Sequence, residues 1–318
     1  MDLEMFGIFL TLADKFSGKV WPIVIVIIYI FAEFYSIKYR EFYVTFKPIV
    51  KLLHSFTDLS LFLCNTYLIL GLNFWKKGQW SEFWANLKLV KGKRMGKKRY
   101  YLELSCANLI YVLIVFYVVF YWYQEFPGDF FHRYLVRIIE NHCVFLYNYF
   151  ICTILVMLAS GYQNLKSQLR NGRLKTVAFR MTMQKKTLEL FNQTFGWSLF
   201  LVITQCISHT LQHLSNFIYH SHSFQIILVI VVSLFVQLIP MVTLIFLCGR
   251  VMEERKKIIK LTYEMDPSFG KSPEIVSLIR KTEIKITAAN FFVLDKSTIL
   301  GVLETIVAFV IVLAQFRT

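Results

Sequence analysis

The chain has 318 residues, 56% of them hydrophobic, a mean hydropathy of +0.53 and a formal net charge of +15. Soluble domains are usually about 45–50% apolar, and the excess here falls in blocks of about twenty residues, the length that crosses roughly 30 Å of hydrocarbon as a helix. This excludes a soluble domain, and continuous apolar runs without period-two alternation exclude a barrel, leaving an all-α polytopic membrane protein.

Seven spans are predicted, at about 20–37, 50–73, 103–124, 134–160, 196–220, 223–249 and 297–316. The second holds Lys51, His54 and Asp58, and the fourth opens in the polar run "HRYLVRIIENH". Both suit helices that leave the membrane or line a wet cavity. The sixth carries Pro240, a kink signal. The first nineteen residues, with Asp2, Glu4 and Asp14, lack the pattern of a secretory signal. All six cysteines lie within or beside predicted spans, so no structural disulfide is expected.

Of the 35 basic residues, 28 fall on one side of this arrangement, in the N-terminal segment and in the loops after spans two, four and six. The positive-inside rule puts the N-terminus and those loops in the cytosol, and seven spans then put the C-terminus outside. The basic clusters read as solvated loops facing lipid headgroups, and no motif supports nucleic-acid binding. The one sequon, at Asn192, falls on the cytosolic side.

The loops are expected to contain helices. "LKSQLRNGRLKTVAFRMTMQKKTLELFNQTFGW" reads as extensions of spans four and five around a turn at Asn171–Gly172. "PEIVSLIRKTEIKITAANFF", Pro273–Phe292, places Ile275, Leu278, Ile279 and Ile286 at helical spacing and reads as a helix leading into the seventh span.

No phosphate-binding loop, nucleotide fingerprint, nucleophile elbow or zinc-protease motif is present, so neither an enzyme nor a cofactor is indicated. His209 and His213 share a helix face, with His220 and His222 further on, but no third or fourth ligand of fixed geometry is evident. These histidines line a wet outer cavity or pack as polar side chains, and no metal site is predicted. Polar and aromatic residues gather in the outer halves of spans two to six. Asp58, Trp122, Tyr123, His142, Tyr147, Gln212 and His213 are the candidates for a small-ligand pocket. Tryptophan and tyrosine also serve as interface anchors, so the aromatic members fit a membrane belt equally well.

The seventh span places Glu304, Ala308, Ile311 with Val312, and Gln315 along one face, against Ile306, Val310 and Leu313 on the other. A polar stripe in lipid needs water or another helix beside it. Copies around a symmetry axis could enclose a water path, and a plain helix contact fits as well.

"TAANFFVLDKSTILGVLETIVAFVIVLAQF" (Thr287–Phe316) and "LFNQTFGWSLFL" (Leu190–Leu201) resemble signatures of the insect gustatory receptor family. The seven spans and inverted topology agree with that family along the whole chain. Its last span reads Thr-Tyr, five hydrophobic residues, Gln-Phe; here Gln315 and Phe316 match the final pair, while Ala308 and Phe309 stand in place of Thr-Tyr. The resemblance implies a tetrameric ligand-gated cation channel in the plasma membrane of sensory neurons, homo- or heteromeric, surrounded by lipid and opened by a small-molecule tastant. Residues 1–250 would form the ligand-binding transmembrane region, 251–296 a cytosolic anchor and 297–318 the pore helix. Gln315 and Phe316 would be the gate; Val312, Ala308 and Glu304 are pore-wall candidates by the helix face they share with Gln315. An odorant-type subunit that needs a co-receptor is the alternative. A transporter fits less well, since the span count is odd and no internal repeat is visible.

Overall fold

A computed structural model describes residues 20–39, 48–71, 76–90, 97–125, 128, 130–171, 174–219, 224–264 and 284–315. Eight helices occur among them: α1 (Val20–Lys38), α2 (Pro48–Leu70), α3 (Lys77–Val90), α4 (Lys97–Glu125), α5 (Phe130–Arg170), α6 (Leu174–Tyr219), α7 (Phe224–Glu264) and α8 (Lys296–Gln315). A two-stranded hairpin, β1 (Thr287–Ala288) and β2 (Phe292–Val293), precedes α8.

Seven of the eight helices coincide with the predicted spans. α5, α6 and α7 run 41, 46 and 41 residues, about 60–70 Å at 1.5 Å per residue, twice the hydrocarbon thickness. They therefore project well beyond the membrane. α5 and α6 turn back on each other at Asn171, whose amide donates to the Ser167 carbonyl at 3.3 Å. α7 continues as helix through Pro240.

α4, α5, α7 and α8 contain stretches apolar enough to cross a bilayer by composition alone. α2 and α6 carry more polar residues because they face each other through a polar seam. Thr57 donates to the Ser208 carbonyl at 3.2 Å, the Ser60 and Ser208 hydroxyls lie 2.9 Å apart, and Gln212 Nε2 lies 2.8 Å from His54 Nδ1. Paired in this way, hydroxyls and amides are tolerated between membrane helices.

α6 is the axial element, packing against α2, α3, α5, α7 and α8. Its fully buried Phe191, Phe195, Leu199 and Val202 meet Ile151, Ile154, Leu155 and Leu158 of α5 in one continuous core. α4 is peripheral: Leu109, Ile110, Leu113 and Phe116 are all more than half exposed, as lipid-facing side chains are.

α3 is a helix the sequence analysis did not anticipate; it lies where a solvated basic loop was expected. Trp80, Phe83, Trp84, Leu87 and Val90 form a helical stripe. Phe83 and Leu87 are buried against α6, with Phe83 edge-on to Phe195 at 5.5 Å and Trp80 to the same ring at 5.7 Å. Lys186 pairs with Glu82 at 2.7 Å.

The helix expected over Pro273–Phe292 is corrected. Residues 273–283 lie outside the described residues, 284–286 are neither helix nor strand, and 287–293 form the hairpin instead. Its turn has Ala289 at φ 50° and Asn290 at φ 64°, closed by the Phe291 amide on the Ala288 carbonyl at 2.9 Å. Positive φ at both central residues is what a type I′ turn requires. The hairpin is strapped to α6: Asn192 donates to the Lys285 carbonyl at 2.7 Å and accepts from the Thr287 amide at 3.2 Å. The Ala289 amide donates to the Gly196 carbonyl at 3.0 Å, and a Cβ at Gly196 would crowd that amide nitrogen at 3.2 Å.

Asp295 caps α8. Its carboxylate accepts from the Ser297 hydroxyl at 2.5 Å and amide at 2.9 Å, while its own amide donates to Thr298. The Ser297 hydroxyl bond is the main reason that the Asp295 carboxyl is held below the usual range.

Candidate functional site

Two polar regions lie inside the bundle, and α5 and α6 carry both. The first surrounds Arg137. Arg133, Arg137 and Glu140 recur at i, i+4 and i+7, one face of α5, and Arg133 and Glu140 are buried. Arg137 faces Asp58 of α2 at 3.6 Å. It also reaches His209 Nε2 at 3.1 Å and donates to Gln212 Oε1. His54 bridges Gln212 and, at 3.2 Å, Asn216 Oδ1. The His209 and His213 rings lie tilted to each other, 5.6 Å apart. On the α1 side, Tyr29 donates to Glu140, and Ser36 donates to the Arg133 carbonyl at 2.8 Å. Charged groups at this depth persist only when paired.

Arg133 and Arg137 therefore belong to the bundle interior. The charge count had placed them among outer-side basic residues; their removal from that side leaves the inner excess larger.

The second region is a cavity between α4, α5, α6 and α7. It holds about 20 Å³, room for one water-sized molecule. Asn141 and Asn148 of α5, Gln205 of α6 and Gln237 of α7 line it, with Tyr111 and Met241. Gln237 Nε2 donates to Asn141 Oδ1 at 3.4 Å, and Asn141 donates back to the Arg137 carbonyl at 2.9 Å. The two polar regions are thus contiguous through one turn of α5.

The sequence-predicted ligand residues separate into four places. Asp58, Gln212 and His213 belong to the Arg137 cluster. His142 stands beside the cavity, its ring 5.4 Å from Tyr111 and 6.4 Å from Phe145. Tyr147 is buried in the core next to Phe150, whose ring lies 6.4 Å away. Trp122 and Tyr123 are at the far end of α4, about 17 Å along the helix from Tyr111, where Tyr123 packs on Phe130 and Phe131. Sequence reasoning missed His54's bridging role, Arg137 and all four cavity amides. The period-3.6 charges of "RYLVRIIE" were the available signal for Arg137. The amides come from three helices, and no local spacing links them.

Among the described residues, no group of three or more His, Cys, Asp or Glu is placed to hold a metal. His220 and His222 lie outside the described residues.

On α8, Ile306 and Leu313 are buried against the bundle, while Glu304, Ala308, Ile311, Val312 and Gln315 are all exposed. Val310 is half-buried, and Leu300, Leu303 and Val307 are exposed as well. Phe316 lies outside the described residues.

A helical bundle of this length, with helices long and apolar enough to cross a bilayer, defines a multi-pass membrane protein. The chain belongs to the 7tm Chemosensory receptor family, whose model matches residues 17–318. It is similar in fold to the insect olfactory receptor OR5 from Machilis hrabei, with a TM-score of 0.70, 12% identity, and 99% of this chain and 97% of that chain covered. The structure of the same receptor in complex with eugenol gives 0.65 and 12%, with 98% and 97% covered. At that identity the likeness is one of fold. No curated protein sequence matches the chain. The family is one of receptors and not of enzymes.

Proposed function

We propose that this chain is a subunit of a taste-type, ligand-gated cation channel in the plasma membrane of chemosensory neurons. Four copies, alike or mixed with related subunits, surround a pore lined by α8. The single observation that carries the reading is the exposed face of α8. A membrane helix that buries Ile306 and Leu313 yet exposes Glu304 and Gln315 requires water or another protein chain on its open side. Fourfold symmetry supplies both, and a ring of Glu304 carboxylates favours cations.

In this reading Gln315 and Phe316 form the gate near the outer mouth, and Val312 and Ala308 line the passage below. Residues 1–250 carry the ligand site, 251–296 anchor the subunits in the cytosol, and 297–318 conduct. A small molecule binds in the outer cavity of each subunit; that OR5 from Machilis hrabei, alike in fold, is solved in complex with eugenol supports a small-molecule ligand. Binding opens the channel only through a higher affinity for the open arrangement.

The taste assignment rests on the two signature stretches, which the hairpin clasp brings into contact. The fold likeness to an olfactory receptor supports the odorant-type alternative, which differs in needing a co-receptor. The test is current recording from cells expressing this chain alone, challenged with a tastant panel. Glu304→Gln and Gln315→Ala are expected to shift cation-over-anion selectivity or basal current while surface expression is retained. Unchanged selectivity and basal current in a conducting channel would remove α8 from the pore. Current only when a second receptor chain is co-expressed favours the odorant-type reading.

A further inference from the structure

α7 carries an exposed stripe on its way through the membrane. Phe235, Ile239, Val242 and Phe246 recur at i, i+4, i+7 and i+11, and each is at least 38% exposed, while Met241, Leu244, Ile245 and Cys248 fill the opposite face. The next residue on the stripe is Arg250, exposed on the side that the charge distribution places in the cytosol. From Ile239 to Arg250 the helix rises about 16 Å, half the hydrocarbon thickness and so one leaflet.

α8 supplies a second wall. The Nζ of Lys296, at its start, lies 6.0 Å from the centre of the Phe246 ring and pairs with Glu253 of α7 at 2.8 Å. Leu300, Leu303 and Val307 follow Lys296 at i+4, i+7 and i+11, on the same side of α8, and all three are exposed. The two stripes flank an apolar groove with cations at its cytosolic end. The acids of that part of α7 are committed: Glu253 to Lys296, Glu254 to Lys257 and Glu264 to Lys260. Arg250 takes part in none of these pairs. An apolar neighbour would cover the stripes and leave the Arg250 charge unmatched. A soluble anion would meet Arg250 and leave the stripes bare. An amphiphile with an anionic head and a chain one leaflet long complements both, and anionic lipids make the cytosolic leaflet negative.

We propose that the groove between α7 and α8 seats an anionic phospholipid of the cytosolic leaflet, its acyl chain along Ile239, Val242 and Phe246 and its headgroup on Arg250. The groove lies on the outside of the bundle, apart from both interior polar regions, and its occupancy is independent of whether the chain conducts.

The test uses the purified full-length chain, with phosphatidylserine and phosphatidylcholine of the same acyl chains as probes. Retention is read by native mass spectrometry, and the place of binding by a phosphatidylserine with a photoreactive diazirine in one acyl chain. Phosphatidylserine is expected to be retained about fivefold more than phosphatidylcholine, the effect of one unmatched cation beside an anionic headgroup. The photoprobe should label residues 235–246 of α7 and 300–307 of α8. Arg250→Gln should bring the two lipids level, and Arg250→Lys should keep the preference. Lys166→Gln, on the cytosolic part of α5, should leave it unchanged. Equal retention of the two lipids by the wild-type chain overturns the proposal, as does a preference that survives Arg250→Gln or falls as far in Lys166→Gln. Glycerophosphoserine, the headgroup without its chains, should compete poorly; full competition would mean that the apolar stripes contribute nothing, which also overturns it. Labelling that misses the groove, as when a second copy of the chain covers it, does the same. Retention and labelling in the wild-type chain decide the matter even where a variant does not fold.

Discussion

Arg137 ties three helices at one point. It comes from α5, pairs with Asp58 on α2 and donates to Gln212 on α6. Two opposite charges held inside a membrane bundle are costly to desolvate, and removing one partner leaves the other uncompensated. Arg137→Met and Asp58→Asn are each expected to cost about 3–5 kcal/mol. The double substitution should cost less than either, because it removes both charges together. Thermal unfolding in detergent, read as a double-mutant cycle, checks this; costs that simply add would mean the pair is not coupled. Asp58 and Gln212 were legible in the sequence as polar residues stranded in apolar runs. Arg137 was not, because charge counting assigns an arginine near a helix start to the loop. The residue-level signal that mattered was the face it shares with Arg133 and Glu140.

At the scale of elements, the hairpin before α8 is the connection most open to disruption. Asn192 and Gly196 of α6 hold it by three hydrogen bonds, and the rings of Trp197 and Phe200 cover its tip through Phe291 at 5.8 and 5.2 Å. A Cβ on Gly196 would sit 3.2 Å from the Ala289 amide nitrogen. Gly196→Val is therefore expected to lift the hairpin from α6 and to raise hydrogen exchange of residues 284–295 at least tenfold, with α5 and the rest of α6 unchanged. Unaltered exchange in that segment would show that the clasp does not depend on the close approach. This element was hidden in the sequence for a definite reason. The usual hairpin signal is Asn-Gly or Asp-Gly, and here Ala289–Asn290 takes the turn within a stretch whose apolar residues fit helical spacing. α3 was hidden differently: its aromatic stripe was visible, but the surrounding lysines drew the reading toward a solvated loop. The long helices were legible because apolar runs and turn residues agree locally.

The whole molecule combines a polar interior with a lipid-facing exterior, and its proposed orientation follows from charge. If the seventh span runs outward, a tag placed after Thr318 is expected to be labelled on intact cells; labelling only after permeabilisation would reverse the orientation. The overall architecture was readable from composition and the positive-inside rule. The small cavity between α4, α5, α6 and α7 was not, because its wall is assembled from four helices whose relative rotation no single segment encodes.

The charged face of α5 has a consequence for how the protein is made. A charge at the centre of an isolated helix costs about 2.5–3.5 kcal/mol during insertion, and the first three turns of α5 carry Arg133, Arg137 and Glu140. Their partners Tyr29 and Ser36 on α1 and Asp58 on α2 leave the ribosome first. The outer half of α5 thus enters the bilayer onto a template already laid down by the first two spans. An insertion order that runs from the N-terminus would therefore give these charges their partners as α5 enters the membrane.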